Sequence, residues 1–171
     1  MNSNAQRLME DHHALQCLAI EYANAIDARE WDRLDRVFTA DALIDYSAMG
    51  GIAGNYPDIK KWLPASLRYF AGFTHFMGNF QFDIRGDVAS GRVACINPMV
   101  IKGLIPGMER TVVFGFWYED AYRRTEDGWR IVSRTERKCY SLNEPLWMKL
   151  GKRIYQRIGA RTQGGSPGNA D

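Results

Sequence analysis

From Ala5 to Asp27, Leu8, His12, Leu15, Leu18, Ala19, Tyr22 and Ile26 recur at spacings of three and four. That spacing predicts an amphipathic helix ending at Asp27. Trp31, Leu34, Val37 and Phe38 predict a second, short helix, broken by Thr39-Ala40-Asp41. Ala42 to Ser47 then reads as a strand, and Gly50, Gly51 and Gly54 as a flexible loop. Pro57 sits at a favoured first-turn position and opens a third helix, with Ile59, Trp62, Leu63, Leu67 and Phe70 as its apolar face. Pro64 is expected to kink or divide that helix. From Gly72 onward the pattern changes to long strands: Phe73 to Ile84, Val88 to Lys102, Glu109 to Arg123 and Trp129 to Tyr140. Arg85-Gly86-Asp87 and Thr125-Glu126-Asp127-Gly128 supply turns between them. Strands of that length predict a strongly curved sheet, with bulges at Gly78, Gly91 or Gly115. Pro145 begins a last amphipathic helix with a cationic outer side, and Thr162 to Asp171, rich in Gly, Ser and Pro, reads as a disordered tail.

Helices first and a meander of strands afterwards make an α+β domain. The expected shape is a cone, a curved mixed or antiparallel sheet wrapped around the N-terminal helices with an apolar pocket inside. One such domain over residues 1–161, followed by the 162–171 tail, accounts for all 171 residues. Hydrophobic content of 46% and charged content of 25% are ordinary for a soluble protein, and no apolar run is long enough to span a bilayer. Cys17, Cys95 and Cys139 are far apart and lack metal-ligand spacing, so they read as reduced thiols of a cytoplasmic protein. The final helix is cationic but has no aromatic interleaving, which argues against a nucleic-acid partner and for a solvated face or a subunit contact.

The candidate chemistry centres on Phe73-Thr74-His75-Phe76-Met77-Gly78-Asn79, read as the start of a strand. His12 and His13 read as helix-surface residues, which leaves His75 as the one imidazole embedded in apolar sequence. A neutral imidazole there can act as a general base near pH 7 if a carboxylate holds its other nitrogen. Asp27, at the end of the first helix, is the best candidate for that carboxylate. Trp62, Phe70, Phe73, Phe114, Phe116 and Trp117 are expected to wall a site for a hydrophobic, cyclic small molecule, with Tyr46 beside them. Asn79 and Asn97 are its weaker polar candidates. Each residue also has a bland reading: His75 as a satisfied core histidine, Asp27 as a helix-terminating residue, and the aromatic residues as core.

Tyr22-Ala23-Asn24-Ala25-Ile26-Asp27, Trp31-Asp32-Arg33-Leu34, Phe38-Thr39-Ala40-Asp41-Ala42, His75 with Gly78-Asn79, and Asp127-Gly128-Trp129-Arg130-Ile131 stand in an order and spacing that resemble the nuclear-transport-factor-2-like superfamily. Within it the chain is most similar to the SnoaL-like branch. There it resembles cofactor-free lyases: bile-acid 7α-dehydratase, scytalone dehydratase, hexachlorocyclohexane dehydrochlorinase and certain lignin-dimer formaldehyde lyases. The resemblance implies an aspartate–histidine dyad at Asp27 and His75. It also implies a functional tyrosine at Tyr22 and an arginine completing the site at Arg134, against the bland readings of core packing for Tyr22 and a surface ion pair for Arg134. Ile26 stands where scytalone dehydratase has a tyrosine, and the Asn97 region lacks that enzyme's second histidine. The implied protein is a lyase without metal or organic cofactor, a homodimer or homotrimer. A ketosteroid-isomerase-type isomerase and a non-catalytic binding protein of the same fold remain the alternatives.

Overall fold

The structure, a computed structural model, describes residues 3–103, 105, 107–146 and 148. Helix α1 spans Ser3–Asp27 and buries Asp11, Leu15, Leu18, Ala19, Tyr22 and Ile26, while Leu8 and His12 are exposed. It ends in a Schellman motif: Glu30 N donates to Ala25 O at 2.9 Å and Arg29 N to Ile26 O at 3.0 Å. Arg29 occupies the left-handed position, φ 57°, where glycine is the usual occupant. Its guanidinium compensates by donating to Leu67 O and Phe70 O, at 3.2 and 2.9 Å, and so ties the helix end to the chain ahead of His75.

Trp31–Arg36 forms a 3₁₀ turn, and strand β1, Phe38–Asp45, starts earlier than the sequence predicted. Thr39-Ala40-Asp41 is strand rather than a break, because Phe38 pairs with Ile131 on a neighbouring strand and draws the segment into the sheet. Ser47–Met49 is another short 3₁₀ turn, and Ala53–Asn55 forms a short strand, β2, where a flexible loop was expected. Helix α2, Tyr56–Leu67, is capped by Asn55, whose side chain accepts from Asp58 N at 3.0 Å. Pro64 lies inside it without dividing it, and Phe70 belongs to the next strand rather than to the helix face.

The remaining strands are β3 (Phe70–Phe73), β4 (Phe76–Arg85), β5 (Val88–Ile101), β6 (Arg110–Thr125) and β7 (Gly128–Leu142). They form a seven-stranded sheet in the order β2-β1-β7-β6-β5-β3, with β4 also on β5; only β1 and β7 run parallel. The sheet curls into a half-barrel over the N-terminal helices, as the α+β cone expectation required. Register shifts at Gly78/Gln81, Gly115/Phe116 and Ala121/Tyr122 mark its bulges. Gly91 is not one of them: a Cβ there would meet the Phe82 ring at 2.6 Å, so close packing requires the glycine. Among the described residues no helix is long and apolar enough to cross a membrane. The predicted final helix lies, beyond Met148, outside the described residues, as does the 162–171 tail.

The single expected strand Phe73 to Ile84 is two strands laid end to end along β5, and the gap between them is Thr74-His75. Opposite the gap stands Pro98, whose carbonyl accepts from Thr74 N at 3.2 Å. A proline has no N–H to return, so the ladder cannot continue through this point. Asn97 fills the interruption with its side chain, Nδ2 donating to Thr74 O at 3.0 Å.

Candidate functional site

Freed from strand pairing, His75 turns toward the end of α1. Asp27 accepts from it twice, Oδ2 from the backbone N at 2.9 Å and Oδ1 from Nδ1 at 2.6 Å. An ionised carboxylate only accepts, so Nδ1 carries the proton and Nε2 is the acceptor of the neutral ring. No described residue hydrogen-bonds Nε2. The His75 side chain is 8% exposed and its ring packs edge-on to Tyr22 and Phe73. An acidic side chain at a helix C-terminus opposes the macrodipole, so helix stability does not account for Asp27. Its partner does.

His75 lines a cavity of about 810 Å³ enclosed by α1, α2 and the concave face of the sheet. The wall is chiefly apolar: Ile26, Trp62, Phe70, Met99, Phe114 and Phe116 all contribute. Gly51 is needed here, since a Cβ would lie 2.8 Å from Tyr46 Cβ and 2.9 Å from the Trp62 ring, which close over it. Arg68, Tyr69 and Lys102 also line the cavity and are exposed, which marks its mouth.

Polar groups gather at one side of this space. The Tyr22 and Tyr46 hydroxyls lie 2.9 Å apart, and the Tyr118 hydroxyl donates to that of Tyr22 at 3.5 Å. Burial pushes all three phenols above their ordinary value, against the pull of the neighbouring Arg134 charge. They are neutral hydrogen-bonding groups rather than phenolates. Asn97 and Glu136, 4% and 8% exposed, complete the polar lining. Among the described residues no group of three or more His, Cys, Asp or Glu is placed to hold a metal ion.

The structure therefore brings His75, Asp27, Tyr22, Tyr46, Trp62, Phe70, Asn97 and Phe116 to one place. Asn79 is elsewhere, exposed and in the left-handed conformation, φ 46°, at the β4 bulge. Trp117 points to the outer face with Arg92 over its ring, one residue out of phase with Phe116 and Tyr118. Arg134 is neither a surface ion pair nor part of the cavity wall. Its side chain has no exposure; it grips Asp120 through Nε and Nη2 at 2.8 and 2.7 Å and lies 4.1 Å from the Tyr22 ring and 3.9 Å from that of Tyr118. Burial opposes its charge, and the Asp120 carboxylate outweighs that effect. Sequence reasoning passed over Tyr118 and Glu136, although the alternation that turns Phe116 inward also turns Tyr118 inward.

A family model for the SnoaL-like domain matches residues 7–135. An uncharacterised protein of Mycobacterium tuberculosis is 48% identical over 132 residues, 77% of this chain and 88% of its own length. A solved structure from Novosphingobium aromaticivorans, assigned as an aromatic ring hydroxylase, is 30% identical with a TM-score of 0.72, covering 82% of this chain and 96% of that one. The type 3 hexachlorocyclohexane dehydrochlorinase LinA of Novosphingobium barchaimii is 18% identical with a TM-score of 0.68, covering 82% of this chain and 93% of that one, a likeness of fold. With the curled sheet and the cavity it encloses, the match over most of the chain shows that this protein belongs to the SnoaL-like domain family of the nuclear-transport-factor-2-like superfamily.

Proposed function

We propose that this protein is a cofactor-independent lyase acting on a hydrophobic cyclic or aromatic small molecule, with His75 as general base and Asp27 as the group that orients it. The observation that carries this reading is the two-point grip of Asp27 on His75 at the wall of an apolar cavity. Nε2 would take a proton from carbon or hydroxyl. The electrons of that bond form a double bond as the bond to the leaving group breaks, and Asp27 stabilises the imidazolium that results. The imidazolium then passes its proton to the departed group or to solvent, which regenerates the base. Tyr22, flanked by Tyr46 and Tyr118 and backed by Arg134, is placed to donate a hydrogen bond to the charge that develops on the departing group. Arg134 acts here as a positioning residue. The hydroxylase assignment of the 30% identical relative agrees with an aromatic substrate.

Product mass tests the proposal. Wild type and His75→Ala are incubated without added cofactor against hydrophobic cyclic and diaryl alcohols. A mass loss equal to water, hydrogen halide or formaldehyde is expected with wild type, slowed ~10²–10⁴-fold by the substitution. Turnover retained by His75→Ala removes the base assignment. The tyrosine hydroxyl cluster favours a second reading, an isomerase that stabilises an enolate and expels nothing. An unchanged mass with a shifted double bond would identify it.

A further inference from the structure

The mouth of the cavity carries two positive charges that the elimination just described does not use. Arg68 caps the end of α2 and Lys102 follows β5; both line the cavity and both are exposed. Their backbones are neighbours, since Lys102 N donates to Tyr69 O at 3.0 Å in continuation of the pairing that sets Phe70 opposite Ile101. The Arg68 guanidinium lies 4.7 Å over the Tyr69 ring. Neither cation forms an ion pair among the described residues, whereas Lys60, on α2 but not on the cavity wall, is matched by Asp32 and Asp35 at 2.9 Å each. The chain outside the described residues contains a single acid, Asp171. Glu109 precedes the Arg110 that pairs with Ile101, but it does not line the cavity, and Arg110 beside it keeps the rim positive. A lone exposed cation is satisfied by water, and Arg68 also suits a helix C-terminus. Two cations on adjacent strands at the opening of an apolar cavity do more, because low-dielectric walls focus their field on one anion. The base stands further along the same pair of strands: Thr74 N, next to His75, bonds Pro98 O. The chain from Pro98 to Lys102 sets the backbone of the cations roughly 13 Å from that point at the usual strand rise. Asp27 keeps its negative charge beside a neutral His75, so an anion is favoured at the mouth and opposed at the base.

We propose that the cavity takes an aromatic acid, its carboxylate held between Arg68 and Lys102 and its apolar body directed inward toward His75. The carboxylate is then a handle that sets the direction of entry. It lies too far from the imidazole to be the leaving group or to acidify the carbon that loses the proton. The aromatic body fills the space walled by Trp62, Phe70, Phe114 and Phe116. This inference deepens the reading of an aromatic substrate; it rests on the cavity's being the substrate site but not on the chemistry performed there.

Fluorescence titration at pH 7 with trans-stilbene-4-carboxylate and its uncharged methyl ester tests the handle. At about 20 mM salt wild type should bind the acid about three- to thirtyfold more tightly than the ester. At about 0.5 M salt the preference should shrink to within about twofold, because exposed charges are screened. Arg68→Gln combined with Lys102→Gln should abolish it by weakening the acid alone, and each single change should remove part of it. Arg68→Glu combined with Lys102→Glu should turn it into a preference for the ester. Both side chains are exposed, so a melting curve should show these variants folded. His75→Ala should retain the preference in full, so a failure of the base assignment leaves this result untouched. Equal binding of the two probes by wild type at low salt, binding of neither, or an undiminished preference in the double glutamine variant would overturn the proposal.

Discussion

Helix α1 sets two aspartates against the rest of the molecule, and the two are used differently. Asp11 faces the sheet near the start of the helix, where its Oδ1 accepts from Arg124 Nη2 at 2.7 Å and from Trp129 Nε1 at 3.1 Å. Both partners are spent on holding: Arg124 also reaches Asp87 at 2.9 Å and lies 4.4 Å over the Trp129 ring. Asp27 at the other end accepts, among the described residues, from a single one, His75. Guanidinium and indole have no acceptor to offer anything else, whereas an imidazole held at one nitrogen keeps a second for a ligand. A buried carboxylate with saturated donors fixes an element in place. One whose partner lines a cavity, with a second nitrogen that no described residue engages, can pass its influence to whatever binds there.

Substitution at Asp27 should separate these roles most widely. Asp27→Asn keeps the shape, but an amide can donate to Nδ1 and so favour the tautomer that carries its proton on Nε2. Under the proposed mechanism kcat should fall by at least about a hundredfold, with a smaller change in KM. Thermal stability should be nearly retained. Steady-state kinetics beside a melting curve would check both, and an unchanged pH–rate profile would count against the pairing. Arg134→Met should do the reverse. It strands the fully buried Asp120, whose Oδ2 then keeps, among the described residues, only the Tyr122 hydroxyl at 3.0 Å. Breaking a buried pair costs about 3–5 kcal/mol, or roughly 10 °C in Tm for a chain of this size. Arg134→Met combined with Asp120→Leu should recover most of that loss. If Arg134→Met keeps its Tm but loses turnover, Arg134 contributes to the chemistry more directly than a positioning residue does.

The Asp27–His75 meeting was legible because both signals are local: a helical pattern stops at one carboxylate, and one imidazole sits in apolar sequence. The break that exposes His75 was not. Nothing between Phe73 and Ile84 interrupts the strand pattern; the interruption comes from Pro98 on the facing strand, which only the register brings opposite Thr74. Alternation along β6 was available and would have placed Tyr118 inward and Trp117 outward. On β7 alternation was insufficient, because Arg134 and Glu136 both point inward. Glu136 lines the cavity and Arg134 does not, a difference between two residues of one face that alternation alone does not give. Asn79 was misplaced by a bulge whose extra residue has no signature beyond the neighbouring glycine.

The smallest of the expected effects tests the structural half of the contrast. Burial opposes ionisation of Asp11, but hydrogen bonds from Arg124 and Trp129 outweigh it and hold the carboxyl below its ordinary value of 3.8. A folded value below the unfolded one means the contribution to stability is complete above that ordinary value. It is lost as pH falls through the lower, folded value. Asp11→Asn should therefore cost ~1–3 kcal/mol near neutral pH, and the Tm gap to wild type should narrow below about pH 4 as wild type loses the same interaction. Turnover at temperatures well under Tm should not change, because neither Arg124 nor Trp129 lines the cavity. A gap that is constant from pH 7 to pH 3 would mean that the neutral acceptor, not the charge, holds this end of the helix. A loss of turnover at full Tm would mean that the placement of α1 at Asp11 sets the geometry at Asp27, and the two aspartates would then have to be read as one device.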